Sequence, residues 1–264
     1  MVAETKLTRR TMMAAGAALP LAAGLMASKA NAGGHAAPPN SNKHSFAVGD
    51  FQVSTLLGGT RTVDSDPQGI FGMNVSKEEF AAVSAENFIP ADKAQFFFTP
   101  TVINTGSEVV LFDAGPSAAA TAAALGSAGL TPEDVDIVVL THMHGDHIGG
   151  LTQDDGSLSY PNARYIANQA EYDHWAAAGN DNFEAKVRPI TEQISFIGDG
   201  ASVASGITGL AAFGHTPGHM VYMIESGGEQ LMILADLANH YVWSLAYPDW
   251  EVRFDMDKEA AATT

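Results

Sequence analysis

Cysteine is absent from the chain. A disulfide framework, a thiolate nucleophile and a sulfur-ligated metal are therefore excluded. Basic residues are scarce: 13 Lys and Arg face 30 Asp and Glu, giving a formal charge of −17 and a pI near 4.7. That balance argues against a nucleic-acid partner, whose phosphates need cationic contacts, and against docking on anionic lipid. A neutral or cationic small molecule suits it better, although total charge constrains partners and solubility rather than fold. Long apolar runs are also missing. The run Met12 to Ala27 is interrupted by glycine and Pro20, and is shorter than the roughly 20 residues that span a bilayer.

That run has the composition of an export signal. Lys6, Arg9 and Arg10 precede it, and Ala30-Asn31-Ala32 follows as a small-x-small cleavage site. Thr8-Arg9-Arg10-Thr11-Met12-Met13 is similar to a twin-arginine signal, with Met where Phe and Leu are usual. Residues 1–32 are thus expected to be a twin-arginine-type signal peptide, leaving a periplasmic protein with no stable membrane anchor. Residues 33–44, with Gly-Gly, Pro-Pro and Asn-Ser-Asn, are expected to be a flexible leader. The folded domain is expected over 45–264.

Apolar content of 46% supports a substantial core. The pattern predicts strands over 46–57, 96–104, 109–112, 136–140, 163–167, 207–213, 220–224 and 230–234. Helices are expected over 77–86 (capped by Ser76), 117–128, 170–178 and 182–197, with a further helix start at Thr131-Pro132. Strands alternating with helices define an α/β chain.

Histidine supplies the chemistry that cysteine cannot. Five of the nine histidines fall in two short segments, Thr141-His142-Met143-His144-Gly145-Asp146-His147 and Gly214-His215-Thr216-Pro217-Gly218-His219. Side chains alternate along a strand, so His142 and His144 point one way at the end of the apolar strand that leads into them. Gly145 permits a sharp turn that re-aims Asp146 and His147. Two imidazoles are then available for one metal, and a carboxylate with an imidazole for a second. His219 lies in a loop leaving a strand, and Asp236 follows the apolar run Leu231–Leu234. His215 is expected to hydrogen-bond to the ligands rather than ligate. Imidazole and carboxylate donors without thiolate suit Zn²⁺, with Fe or Mn as alternatives.

In this order these residues resemble the motifs of the metallo-β-lactamase superfamily, over roughly Phe46 to the end. The resemblance implies an αβ/βα sandwich, with two mixed sheets between helices and the site at their edges. It implies that His142, His144 and His219 hold one metal, that Asp146 and His147 hold the other, that Asp236 bridges them, and that Asp113 orients the ligands. Asp146 is also the candidate catalytic residue. The implied activity is a hydrolase in which a metal-bound hydroxide, usually of a two-zinc centre, attacks an ester-like bond of a small molecule, with a homodimer as the implied assembly. Asp236 favours the branch of lactonases, thioesterases and organophosphate triesterases, so a lactone or other carboxylic ester is expected first and a phosphotriester next. Ala235-Asp236-Leu237, Pro248-Asp249 and Phe254-Asp255-Met256-Asp257-Lys258 resemble exported members of the methyl parathion hydrolase type. The family's last motif, a histidine completing the second metal's shell, has no counterpart before Thr264, so the domain is expected to lack its C-terminal part. Two other readings stand beside this one: a mononuclear iron persulfide dioxygenase, and a non-catalytic metal-binding protein. Phe71, Met73, Phe80, Phe88 and Phe96–Phe98 are candidates for an apolar pocket or for plain core.

Overall fold

A computed structural model describes residues 42–264. The expected signal peptide and most of the expected leader lie outside the described residues. Two residues of that leader, Lys43 and His44, already belong to the first strand. Among the described residues no helix is long and apolar enough to cross a membrane.

The stretch 46–57, read as one strand, is a hairpin of β1 (Lys43–Val48) and β2 (Phe51–Leu56). The reversal is made at Gly49-Asp50, with Gly49 at φ 54, the left-handed backbone that two-residue hairpin turns favour. The stretch 96–104 also divides. It gives β4 (Ala94–Phe98), which pairs with β3 (Gly59–Val63) in a separate ribbon, and β5 (Thr101–Asn104), which joins the main sheet. Pro100, with no N–H to give a ladder, stands at the division. The expected helix 182–197 stops at Lys186. A 3₁₀ turn over Arg188–Gln193 follows, with Pro189 in its first turn, and then strand β9 (Ile194–Ile197). The helix Lys77–Glu86 forms as expected, Ser76 accepting from the Glu79 N–H at 3.1 Å.

The main sheet is completed by β6 (Val109–Phe112), β7 (Ile137–Val139) and β8 (Arg164–Asn168), in the order β1-β2-β5-β6-β7-β8-β9. It is mixed: antiparallel up to the β5–β6 pair and parallel from β6 to β9. The second sheet, β10 (Ser202–Ala204), β11 (Ile207–Ala211), β12 (Met220–Ser226) and β13 (Glu229–Ile233), is antiparallel throughout. The facing surfaces of the two sheets share one core, in which Val110, Phe112, Val139 and Ile166 meet Ile207, Met220, Tyr222 and Ile224. The other face of the main sheet packs on the helices Ala118–Ser127, Gln169–Ala178 and Asp181–Lys186 through Leu125, Trp175 and Phe183. A third core joins the helix Lys77–Glu86 to the segment 242–252 around Phe71, Phe80, Trp243 and Trp250. Loops leaving the C-terminal ends of β6, β7, β11 and β13 meet at one rim of the sandwich, and they carry Asp113, the 142–147 segment, the 214–219 segment and Asp236.

Candidate metal centre

The alternation expected past β7 places the first donors. Met143 is buried in the helical-side core, while His142 and His144 turn to the opposite side. Gly145 then starts a one-turn helix, Gly145–Ile148, without left-handed backbone. Helical rather than glycine-specific geometry therefore swings Asp146 and His147 away from the first pair.

Four donors converge: His142 Nε2, His144 Nδ1, His215 Nε2 and Asp236 Oδ2, all within 4.8 Å of one another. The separations are 3.1 Å for His142–His144, 3.0 Å for His144–His215, 3.4 Å for His215–Asp236 and 3.9 Å for His142–Asp236. A tetrahedral ion with bonds of about 2.1 Å spaces its donors about 3.4 Å apart, so this set fits one. The other oxygen of Asp236 faces a second group. His147 Nε2 lies 3.5 Å from Asp236 Oδ1 and 3.7 Å from Asp146 Oδ2. Asp236 therefore stands between two donor sets.

The structure places His215, and not His219, among the four converging donors. His215 is 2% exposed, and its Nδ1–H donates to Asp255 Oδ1 at 2.9 Å, leaving the Nε2 lone pair for the centre. His219 spends both ring nitrogens on backbone. Its Nδ1–H donates to the Ala212 carbonyl at 3.1 Å, and its Nε2 accepts the Asp236 N–H at 3.2 Å. His219 positions the carboxylate-bearing loop, and His215 offers the donor. His240 also stands apart, its Nδ1 accepting from Val242 and Trp243 N–H while its ring stacks on Trp243 at 4.2 Å.

Behind the donors lies a layer of acceptors. Asp113, at the unusual φ of 62, accepts from the Thr141 N–H and hydroxyl at 2.9 Å each, and from His147 Nδ1–H at 2.8 Å. Sequence reading missed Glu171, which is 1% exposed. Its Oε1 accepts from Met143 N–H at 2.8 Å and Trp175 Nε1–H at 2.7 Å, and its Oε2 accepts from Gly218 N–H at 2.9 Å. One carboxylate thus ties the two histidine segments together, and a side chain at Gly218 would run into its backbone. A lone Glu in a helix carries no sequence signal for such a role. Asp255, in the acidic segment 254–258, was legible as part of a resemblance but not as the partner of His215.

Burial sets the charges. It lowers His142 well below its ordinary value, His144 to about 4 and His219 to about 3, with neighbouring histidines adding to the effect. These rings are neutral at pH 7, which for His142 and His144 is the form that binds metal. His147 is raised well above its ordinary value: burial opposes its charge, but Asp113 and Asp236 outweigh it. Asp236 is held well below the usual carboxylate range, with burial again opposed and His147 the leading cause.

A cleft of about 1120 Å³ opens over the centre, lined by Asp146, His147, Asp236 and Asn239 and by Phe96–Phe98. Of the other pocket candidates, Phe71 and Phe80 are core at 1% and 2% exposure, and Phe88 is 95% exposed. Met73 does not line the cleft either.

The sandwich, with its histidines and aspartates gathered at one rim, is the architecture of the metallo-β-lactamase superfamily. The chain belongs to that superfamily: the family's sequence profile matches residues 99–263. It is similar to the N-acyl homoserine lactonase AttM of Azorhizobium caulinodans, 28% identical over 112 residues, covering 37% of this chain and 38% of the relative. It is also similar to an N-acyl homoserine lactonase of Bacillus cereus, 30% identical over 106 residues, covering 40% of this chain and 39% of the relative. The matched regions span about two fifths of the length of these curated relatives. The solved structure of AidC, a dizinc quorum-quenching lactonase, superposes with a TM-score of 0.74 at 23% identity over 84% of each chain, a likeness of fold.

Proposed function

We propose that the chain is a metal-dependent hydrolase of ester-like bonds, with a lactone as the first substrate class. The observation that carries this reading is Asp236, one oxygen facing His142, His144 and His215 and the other facing His147 and Asp146 at the floor of an open cleft. His142, His144, His215 and Asp236 would hold one divalent ion, and His147, Asp146 and Asp236 a second, with zinc favoured by an all-N/O donor set and by the dizinc neighbour. When bound, such ions act as Lewis acids and acidify water at neutral pH. The protein's own part is orientation and proton handling. Asp255 and Asp113 fix the tautomers of His215 and His147, so that each presents Nε2 to the centre. Asn239 donates to Asp236 Oδ2 at 2.9 Å and holds the shared carboxylate in place. Asp146, its side chain 39% exposed to the cleft, is the group best placed to take a proton from an incoming nucleophile or return one to a leaving oxygen.

The lactonase relatives support N-acyl homoserine lactones as the first compounds to try. The resemblance to the methyl parathion hydrolase type supports a phosphotriester as the second class. The iron dioxygenase and non-catalytic readings draw no support from these relatives. Export by the twin-arginine route to the periplasm, and a homodimer, belong to the same proposal. Zinc-loaded protein is expected to open N-hexanoyl homoserine lactone or cleave an aryl ester, and His144→Ala to remove that turnover while leaving the fold intact by circular dichroism. Turnover by His144→Ala at the parent rate would end the proposal.

A further inference from the structure

The exposed part of the cleft differs in character from its floor. Phe96–Phe98 and Phe254 line it together with two arginines, Arg61 and Arg253, and one acid, Asp66. Arg61 on β3 is the register partner of Phe96 on β4. Phe96 meets Phe254 edge-on at 6.2 Å, and Arg253 directly precedes Phe254. Arg61 and Arg253 thus both line the cleft, one paired in register with a member of this aromatic pair and the other next to a member in sequence.

Of the four arginines described, Arg164 bonds Glu108 at 3.0 Å and Arg188 bonds Glu184 at 2.7 Å. Among the described residues, no ion pair or side-chain hydrogen bond engages Arg61 or Arg253. Asp66 also lines the cleft, but its carboxylate accepts the Gln68 N–H at 2.9 Å and makes no ion pair with either. In a chain with 30 acidic and 13 basic residues, an arginine has ample choice of carboxylate. Two left without one, both lining the same cleft, mark a place kept for an anion brought from outside.

We propose that the cleft takes an ester or lactone that carries a carboxylate away from its scissile bond, and that Arg61 and Arg253 bind that carboxylate. This rests on the hydrolase reading and adds a substrate class to it. Guanidinium matches carboxylate geometry through paired N–H donors, and aromatic faces beside it hold the intervening methylenes. The overall charge of −17 does not forbid this. At physiological ionic strength fields decay over about 8 Å, so the local pair of cations governs the exposed part of the cleft.

The test compares two aryl esters of equal length, one ending in methyl (hexanoate) and one in carboxylate (the monoester of adipate), on the zinc-loaded full chain. We expect kcat/KM to favour the carboxylate-ended ester roughly tenfold at low salt, mostly through KM, and the preference to shrink at high salt. In the double variant Arg61→Gln/Arg253→Gln the ratio should fall to about one. A parent ratio of one or less, or a ratio unchanged in the double variant, would overturn the proposal. Calorimetric binding of monomethyl adipate against dimethyl adipate reads the same preference without turnover. If neither ester is cleaved but that preference is present and lost in the double variant, the hydrolase reading fails and the anion site stands. If both esters are cleaved with no preference, the reverse holds.

Discussion

Replacing Glu171 by glutamine exchanges one acceptor oxygen for a donor nitrogen, in a position where every partner is itself a donor. The parent carboxylate accepts three N–H groups at 2.7–2.9 Å, two on Oε1 and one on Oε2. The amide keeps the first two when its oxygen faces Met143 and Trp175, and its nitrogen then meets the Gly218 N–H donor to donor. The opposite orientation loses two bonds instead of one. Leaving one buried donor unsatisfied costs about 1–3 kcal/mol, so Glu171→Gln should destabilise by about 2–3 kcal/mol. With a urea slope of about 2.5 kcal/mol/M for a domain of this size, the midpoint should fall by about 1 M. Because the same carboxylate braces the segments bearing His142, His144 and His215, zinc affinity measured by chelator competition should fall tenfold or more. Glu171→Ala, which orphans all three donors, should be worse on both scales. A Glu171→Gln midpoint within about 0.2 M of the parent, with unchanged zinc affinity, would refute the assignment of Glu171 as the brace.

Two further outcomes follow from the site. His215→Ala should lower zinc affinity at least a hundredfold, whereas His219→Ala should keep the zinc stoichiometry and lose about 2 kcal/mol from its two backbone partners; the reverse ranking by calorimetry would restore the roles expected from the sequence. Acid should unfold the metal-free protein early. His144 and His219 titrate near 4 and 3 when folded, against 6.5 unfolded, so the unfolded chain binds more protons and stability falls as pH drops from about 6.5 toward 3. Each shift is worth about 2 kcal/mol at pH 5, which for this size lowers Tm by about 10 °C relative to pH 7.5. His147, raised by Asp113 and Asp236, works the other way, and its contribution is lost only as pH rises through its elevated value. A Tm by scanning calorimetry that is flat between pH 7.5 and 5 would contradict this.

What could be read from the sequence was whatever local chemistry decides. Ser76 fixes the start of the helix Lys77–Glu86 because a hydroxyl can reach the N–H three residues on. The alternation His142-Met143-His144 fixes which side chains meet, because a strand end leaves them no other choice. Boundaries failed where a single residue overrules a longer pattern: Gly49 folding one apparent strand into two, Pro100 sending β4 and β5 to different sheets, and Pro189 ending a helix whose remainder becomes β9.

The exchange of His215 and His219 has a different origin. Both lie in the loop 212–219 between β11 and β12, and neither a period of 2 nor one of 3.6 applies there, so spacing alone could not rank them. What ranks them is the partner of each Nδ1–H. The Ala212 carbonyl claims His219 from within the loop, while Asp255 claims His215 from 40 residues away. A histidine bonded through both nitrogens to backbone has nothing left for a metal. A histidine whose Nδ1–H is taken by a buried carboxylate has its Nε2 lone pair left free and its ring held in orientation. The carboxylate that decides between them was visible in the acidic segment 254–258 all along. Its meaning depended on a fold that returns residue 255 to the rim where β11 ends, and that long-range return is the information a local pattern does not contain.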